Sequence, residues 1–520
     1  MSSVIDKDFE KRLSGLVNSG QPDLLQGGKK GVEKESLRVT SDGAIAQTPH
    51  PAALGSALTN DHITTDYSEA LIELVTPTFG TSWELLQYLL DLHQFVYRHL
   101  DGEWLWATSM PCNVEKDEDI PIAQYGTSNV ARMKSVYRKG LGLRYGRMMQ
   151  AISGVHFNYS FPERFWEAYA ALNQSHESGQ PFISASYFDL LRNYRRYGWL
   201  ILYLFGVSPV VCRSFKAGGE VSEPYATSLR MSDIGYRNRN QAGVEVSVNS
   251  LEEYVRDLTR AIRTPHPPYE ALGVKVDGPN GPEYRQLNAN ILQIENEYYS
   301  YIRPKRVARS GEMPTRALKR AGVEYVEVRA LDVSAFDPVG VNQNKMRFLE
   351  AFLALCLMKR SPLIGPSEEE GLDRNHLTVA RRGREPNLEL WRDGRSIPMK
   401  VWASELLDEM SGVCEVLDRG EAGRPYALAL ANQAAKVANI ELTPSARLMR
   451  EMADTGESFF ELALRMSKLH KQYFLDLYTP NEERLREFGA AAALSLSRQR
   501  EIEASDRLSF DEYLARYFAQ

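Results

Sequence analysis

Apolar and polar positions follow two different rhythms along this chain. Up to about Gly340, helical runs are interspersed with short segments of period two. Beyond Gly340 the apolar spacing is helical almost throughout. Residues 346–358, 404–417, 457–478 and 481–504 are rich in Leu, Ala, Glu, Arg and Lys and are expected helices, separated by prolines such as Pro362, Pro398, Pro444 and Pro480. The pattern predicts an α+β chain. Residues 1–340 carry the chemistry, and residues 341–520 form a mostly helical part of the same unit, with packing and support as its expected role.

Five segments of period two stand out in the first part. They are Gly31-Val-Glu-Lys-Glu-Ser-Leu-Arg-Val39, Ala70-Leu-Ile-Glu-Leu-Val-Thr76, Ser153-Gly-Val-His-Phe-Asn-Tyr-Ser160, Leu292-Gln-Ile-Glu-Asn-Glu-Tyr-Tyr299 and Glu324-Tyr-Val-Glu-Val-Arg-Ala330. Read as strands, they place alternate side chains on opposite faces. Glu33 and Glu35 then share a face, as do His156 and Asn158, Gln293, Glu295, Glu297 and Tyr299, and Tyr325, Glu327 and Arg329. A solvated sheet face is the usual reason for such alternation. Here the polar faces carry Glu, His, Asn, Gln and Arg instead of the Lys and Thr of a wet surface, and Glu is a poor strand former. The expectation is that these faces converge.

Convergence has an electrostatic consequence. Same-face carboxylates about 6.6 Å apart along a strand repel by roughly 2.5 kcal/mol at an effective dielectric near 20. Gathering Glu33, Glu35, Asp66, Glu73 and Glu327 would multiply this, and divalent cations relieve it. A donor set dominated by Glu, with one His and no Cys, suits magnesium or manganese, not zinc. Each residue alone has a plainer use: His156 as a core histidine, Glu69 as a turn carboxylate, Glu295 and Glu297 as partners of Arg303 and Arg306.

Composition narrows the class. The chain has 520 residues and a formal net charge of −6, which suits a soluble globular protein and argues against nucleic acid as partner. Residues 1–13 look like a surface helix without a leader's apolar run. The apolar stretch 199–212 is too short to span a membrane and is broken by Gly206 and Pro209, so a buried helix is expected. Four widely spaced cysteines match no zinc motif and suit a reducing cytoplasm. No phosphate loop of the G-x-x-x-x-G-K-[ST] type is present. Residues 140–146 have the wrong spacing and are expected to end a helix carrying Lys134, Arg138 and Lys139. If ATP binds, cations and Arg/Lys side chains must hold its phosphates.

The same segments, in order, resemble the proteobacterial-type glutamate–cysteine ligase family. The likeness runs over residues 31–340 and includes Ile63-Thr-Thr-Asp-Tyr-Ser-Glu-Ala-Leu-Ile-Glu-Leu-Val-Thr-Pro77, Ile122-Ala-Gln-Tyr-Gly-Thr-Ser-Asn129, Tyr225-Ala-Thr-Ser-Leu-Arg-Met-Ser-Asp233 and Ile302-Arg-Pro-Lys-Arg306. It implies a glutamine-synthetase-like antiparallel sheet funnel wrapped by helices. It implies metal ligands at Glu33, Glu35, Asp66, Glu73, His156 and Glu327, for Mg2+ or Mn2+. It places cysteine near Tyr137, Gln150, Arg230, Tyr236, Tyr299 and Arg329, with Leu141 and Ile152 as apolar walls. The implied activity is ATP-dependent ligation of the glutamate γ-carboxylate to the cysteine amine through a γ-glutamyl phosphate, the first step of glutathione synthesis. The alternative is a ligase of the same scaffold with another amine acceptor. Arg329 is the expected contact to a phosphoryl group or a substrate carboxylate, and Arg303, Lys305 and Arg306 are further phosphate candidates. The partners expected are small molecules only, in a cytoplasmic enzyme for which a monomer suffices. The segment 216–224 is shorter than in enterobacterial members, which bears on any cysteine-based control there.

Overall fold

A computed structural model describes residues 6–18, 23–215, 221–236, 244–279, 281–309 and 311–520. Residues 1–5 of the expected first helix, and residues 216–220 of the short segment, lie outside the described residues; the helix itself is Lys7–Asn18, with Phe9 and Leu16 buried.

A seven-stranded antiparallel sheet organises the first part of the chain. Its strands are β1 (Lys29–Val39), β2 (Ile63–Thr65), β3 (Leu71–Val75), β4 (Trp104–Leu105), β5 (Gly154–Ser160), β6 (Ile302–Lys305) and β7 (Tyr325–Asp332). The order is β6-β7-β5-β1-β3-β2, with β4 paired to the end of β1. Four of the five expected strands form. The fifth does not: residues 292–299 hold only a 3-10 turn, Glu295–Glu297. Local bonds compete with a ladder there. The Glu297 carboxylate accepts from the Gln293 amide N–H at 2.6 Å, and the Gln293 side chain accepts from Leu287 N at 2.9 Å.

One face of the sheet is dry. Val32, Val155, Phe157, Val326 and Val328 are essentially inaccessible and join a core that continues into the helices. Two of those helices are α1 (Ser82–Arg98), capped by Thr81, and α3 (Gln343–Met358), capped by Asn342. The apolar stretch after Trp199 is the buried helix Trp199–Phe205, followed by a short strand at Val210–Val211. Between α1 and α3 in the chain lies α2 (Asn129–Tyr145). Ser128 caps it, and Gly146, at φ 81°, ends it where a side chain would be strained.

The last part is mostly helical, as its periodicity predicts, with one hairpin of Glu389–Arg392 and Arg395–Pro398. It includes α4 (Glu482–Ser505) and α5 (Phe510–Phe518). The expected helix at 457–478 is Phe459–Gln472, opened by a Ser458/Glu461 capping box and continued by a π turn, Tyr473–Leu477. Core residues from both sides of Gly340 form one continuous apolar cluster.

Candidate active site

Strand register builds the polar face. Glu33 pairs with His156, Glu35 with Glu73, Glu327 with Asn158, and Arg303 with Glu327, so these side chains lie beside one another across four strand boundaries. Asp66 follows β2 directly, its N–H bonded to Leu71 O at 3.0 Å. Glu33, Glu35, Asp66, Glu73, His156 and Glu327 all line a single cavity of about 410 Å3. The register slips by one residue between Val328 and Leu331, a β-bulge opposite β5. At the bulge Arg329 N turns to the Tyr301 carbonyl, 2.9 Å away, while its guanidinium stays on the cavity face, 3.0 Å from Glu327.

The carboxylates divide electrostatically. Burial opposes the charge on Glu327, yet Lys305 at 3.5 Å and Arg329 hold it well below the usual carboxylate range, with help from His156 and Arg303. Burial also opposes Glu33, and a 3.1 Å hydrogen bond from His156 tips it toward the ionised form. Glu35 goes the other way. Burial and the Asp66 charge push it up to about 8, against the Arg230 and Arg329 charges and a 2.6 Å bond from Gly154 N. Glu73 is raised well above its ordinary value by burial, then by Glu33, Asp66 and Glu35. Burial and the Arg329 charge lower His156, leaving a neutral imidazole.

This donor set fits a hard divalent cation. Ligand atoms of Glu33, Glu73 and His156 lie within 4.8 Å of one another. Buried Glu327 Oε2 and Asn158 Oδ1 have no hydrogen-bond partner among the described residues. Oxygen donors with one imidazole, and no thiolate, match magnesium or manganese.

The remaining predicted residues fall into three groups. Tyr137, Leu141, Gln150, Tyr236, Tyr299 and Arg329 line the same cavity, as do Arg303 and Lys305. Arg230 lines an adjoining recess of about 20 Å3 with Met231, Tyr301 and the shared Tyr236, Tyr299 and Arg329. Gly154 makes room for it, since a Cβ there would come within 2.0 Å of Arg230 Nη2. Ile152 and Arg306 are not brought to either space. Ile152 is fully buried beneath Tyr236, whose hydroxyl donates to its carbonyl at 2.7 Å. Arg306 turns to the far side, bonded to the carbonyls of Ala321 and Gly322 and paired with Glu324 at 3.5 Å. Nor do Glu295 and Glu297 pair with Arg303 and Arg306. Glu297 pairs with buried Arg144 at 2.8 Å, and Glu295 accepts from Thr315. Glu69 is the turn carboxylate expected, accepting from His50 N and Gln124 N.

Sequence reasoning left several lining residues without a role. Val130, Met133 and Lys134 line the cavity together with Tyr137, Arg138 and Leu141, a face of α2 legible from helical spacing. Arg138 Nε donates to the Asp66 carbonyl, and Lys134 and Arg138 lie 4.9 and 4.7 Å from the Tyr125 ring centre. Tyr513 and Tyr517 come from α5, in the part expected only to support.

The architecture is shared with solved ligases. The glutamate–cysteine ligase of Francisella tularensis, in complex with AMP, superposes with a TM-score of 0.88 at 37% identity, covering 95% of this chain and 98% of that one. A bifunctional glutathione synthetase from Pasteurella multocida gives 0.70 at 25% identity, over 89% of this chain and 55% of that one. Fold and cavity together define an ATP-dependent ligase. The family model for glutamate–cysteine ligase matches residues 13–379. Glutamate–cysteine ligases of Alcanivorax borkumensis and Pseudomonas aeruginosa are each 48% identical, over 98% of this chain and 99% and 98% of their own lengths. The chain belongs to the glutamate–cysteine ligase family, whose ATP-dependent reaction is the first step of glutathione synthesis.

Proposed function

We propose that the cavity joins the γ-carboxylate of glutamate to the amine of cysteine through a γ-glutamyl phosphate, with divalent cations held among Glu33, Glu35, Asp66, Glu73, His156 and Glu327. The observation that carries this reading is the single cavity containing all six donors beside Arg329 and Lys305. Cations bound there supply charge neutralisation and alignment for the phosphoryl group.

The chain's own groups do the rest. Arg329, its fork anchored by Glu327, offers planar donors to a phosphoryl or carboxylate oxygen. Lys305 adds a second positive charge over the same carboxylate. The recess under Tyr236 suits a small acceptor side chain. Arg230 is 2% exposed, and its Nε has no hydrogen-bond partner among the described residues, so it is ready for the cysteine carboxylate. Tyr299 and Gln150, bonded to each other at 2.8 Å, fix the wall against which the acceptor amine is held. Holding acyl phosphate and amine together supplies much of the rate advantage.

ADP release measured with ATP and glutamate, adding cysteine, 2-aminobutyrate, glycine or ammonia in turn, tests the acceptor. Cysteine should be preferred, with 2-aminobutyrate the nearest substitute. Hydroxylamine in place of the amine should give a γ-glutamyl hydroxamate; its absence from an active preparation rules out the acyl phosphate. Among the described residues no helix is long and apolar enough to cross a membrane. All four cysteines are free thiols, which supports a cytoplasmic setting. One chain lines the whole cavity, so a monomer suffices for the reaction.

A further inference from the structure

Arg230 is buried on a very short element. It lies on the one-turn 3-10 helix Leu229–Met231, with its guanidinium resting on the Arg329 carbonyl and the Met231 sulfur, both at 3.1 Å. A single turn does not fix its own start, so the hydrogen bonds made to its first N–H groups decide where Arg230 is directed.

Ser228 stands just before the turn, where a serine ordinarily accepts from those N–H groups. Here it makes no such bond. Its hydroxyl donates to Asp332 Oδ1 at 2.8 Å instead. The cap comes from another segment. Ser208 Oγ accepts from Arg230 N at 3.3 Å, and Ser208 O accepts from Leu229 N at 2.8 Å. A hydroxyl has a single proton. That of Ser208 goes to Asp332 Oδ2, 2.7 Å away, which leaves a lone pair for the Arg230 N–H. The same carboxylate accepts from Val207 N at 2.8 Å.

The buried Asp332 carboxylate thus takes one amide N–H and two hydroxyls, and none of these donors is a cation. Burying a charge among neutral donors costs desolvation that an uncharged amide would largely escape. Asp332 closes β7, past the bulge, and pairs in register with Gly154 of β5. Gly154 is the residue whose missing side chain makes room for the Arg230 guanidinium. One member of this cross-strand pair fixes the turn, and the other clears the space for its head group.

We propose that Asp332 is a positioning residue for the amine acceptor: through Ser208 and Ser228 it holds Arg230 toward the recess and so sets the preference for acceptors that carry a carboxylate. The inference rests on the reading of the recess as the acceptor site. Asp332 itself lines neither the cavity nor the recess, and acts through Arg230.

The test uses the full chain with ATP, glutamate and Mg2+, and compares cysteine with cysteamine, which is cysteine without its carboxylate. The variants are Asp332→Asn, Ser208→Ala, Arg230→Gln, and Arg230→Gln combined with Asp332→Asn. Asp332→Asn and Ser208→Ala should each raise KM for cysteine by roughly tenfold, with KM for ATP and glutamate, and kcat/KM for cysteamine, within about twofold of wild type. In the Arg230→Gln background, Asp332→Asn should change the cysteine preference by less than about twofold, because the group it positions is already gone. A merely structural role would lower turnover of both acceptors alike. Ser208→Ala carries the same expectation if Asp332→Asn does not fold. Unchanged KM for cysteine in the folded variants, equal losses with cysteine and cysteamine, or a full effect persisting without Arg230 overturns the proposal. If Arg230→Gln leaves the preference for cysteine intact, the reading of the recess itself fails. If Arg230→Gln abolishes the preference while the Asp332 and Ser208 variants keep it, only the relay through the serines falls.

Discussion

Glu327 and Glu35 are almost equally buried, at 1% and 3% exposure, and titrate in opposite directions. Desolvation is the largest influence on both and pushes both toward the neutral acid. The difference lies in the neighbours. Glu327 sits among Lys305, Arg329 and Arg303, so its counter-charge is part of the protein. Glu35 faces Asp66, and Glu73 faces Glu33, Asp66 and Glu35. Arg230 and Arg329 offset part of this for Glu35, and Arg329 part of it for Glu73, without returning either acid to its ordinary value. Glu327 thus belongs to an ion-pair network complete within the chain, whereas Glu35 and Glu73 crowd Asp66 and each other on the side where the proposed cations would bind.

The most severe way to break this division is to neutralise a carboxylate. Glu33→Gln or Glu35→Gln should cut glutamate- and cysteine-dependent ADP release by roughly a thousandfold, with the circular dichroism spectrum retained. Near-normal turnover in either variant removes that residue from the site. On the Glu327 side, Arg329→Lys keeps the charge and loses the planar fork. A drop of about tenfold or more in kcat/KM is expected, and an unchanged value would make Arg329 a structural ion-pair partner only.

Acidity probes the Glu35 side without chemistry. The folded-state value of Glu35 is raised to about 8, so the neutral acid stabilises the fold below its unfolded value of 4.5. That contribution is lost as pH rises toward 8, at no more than about 1.4 kcal/mol per pH unit for one proton. Tm of the cation-free protein should therefore fall between pH 5 and pH 8. Added Mg2+ should offset the fall at the upper end, and Glu35→Gln should flatten it. A Tm rising over that range would reverse the assignment. The smallest effect contrasts two neighbours. Lys305→Ala should raise KM for ATP by roughly fivefold, and Arg306→Ala, whose side chain faces away, by less than about twofold.

Much of the site was legible because β1, β3, β5 and β7 obey strict alternation. Glu33, Glu35, Glu73, His156 and Glu327 land on one face by periodicity alone, and antiparallel register does the rest. Alternation also explains Arg306: Arg303 and Lys305 share the cavity face of β6, and the next residue must point elsewhere. The segment from Leu292 misled because its Gln and Glu residues alternate for another reason, bonding nearby backbone N–H groups and Arg144. Tyr513 and Tyr517 were out of reach. Nothing local says which distant helix α5 will meet, and an i, i+4 pair of tyrosines reads as ordinary packing until Asp506 is seen on the start of α2.

The extra residue in β7 has a consequence for how this protein tolerates change. Upstream of it the strand is in phase with the cavity face. Downstream, Leu331 returns to the apolar side, and Asp332 clasps Val207 N, Ser208 and Ser228 deep in the interior. Slack at Arg329 and Ala330 uncouples aim from anchorage. Trimming Ala330 should leave the weave of the sheet intact while swinging one guanidinium off its target, so that the protein would survive as a folded but misdirected machine.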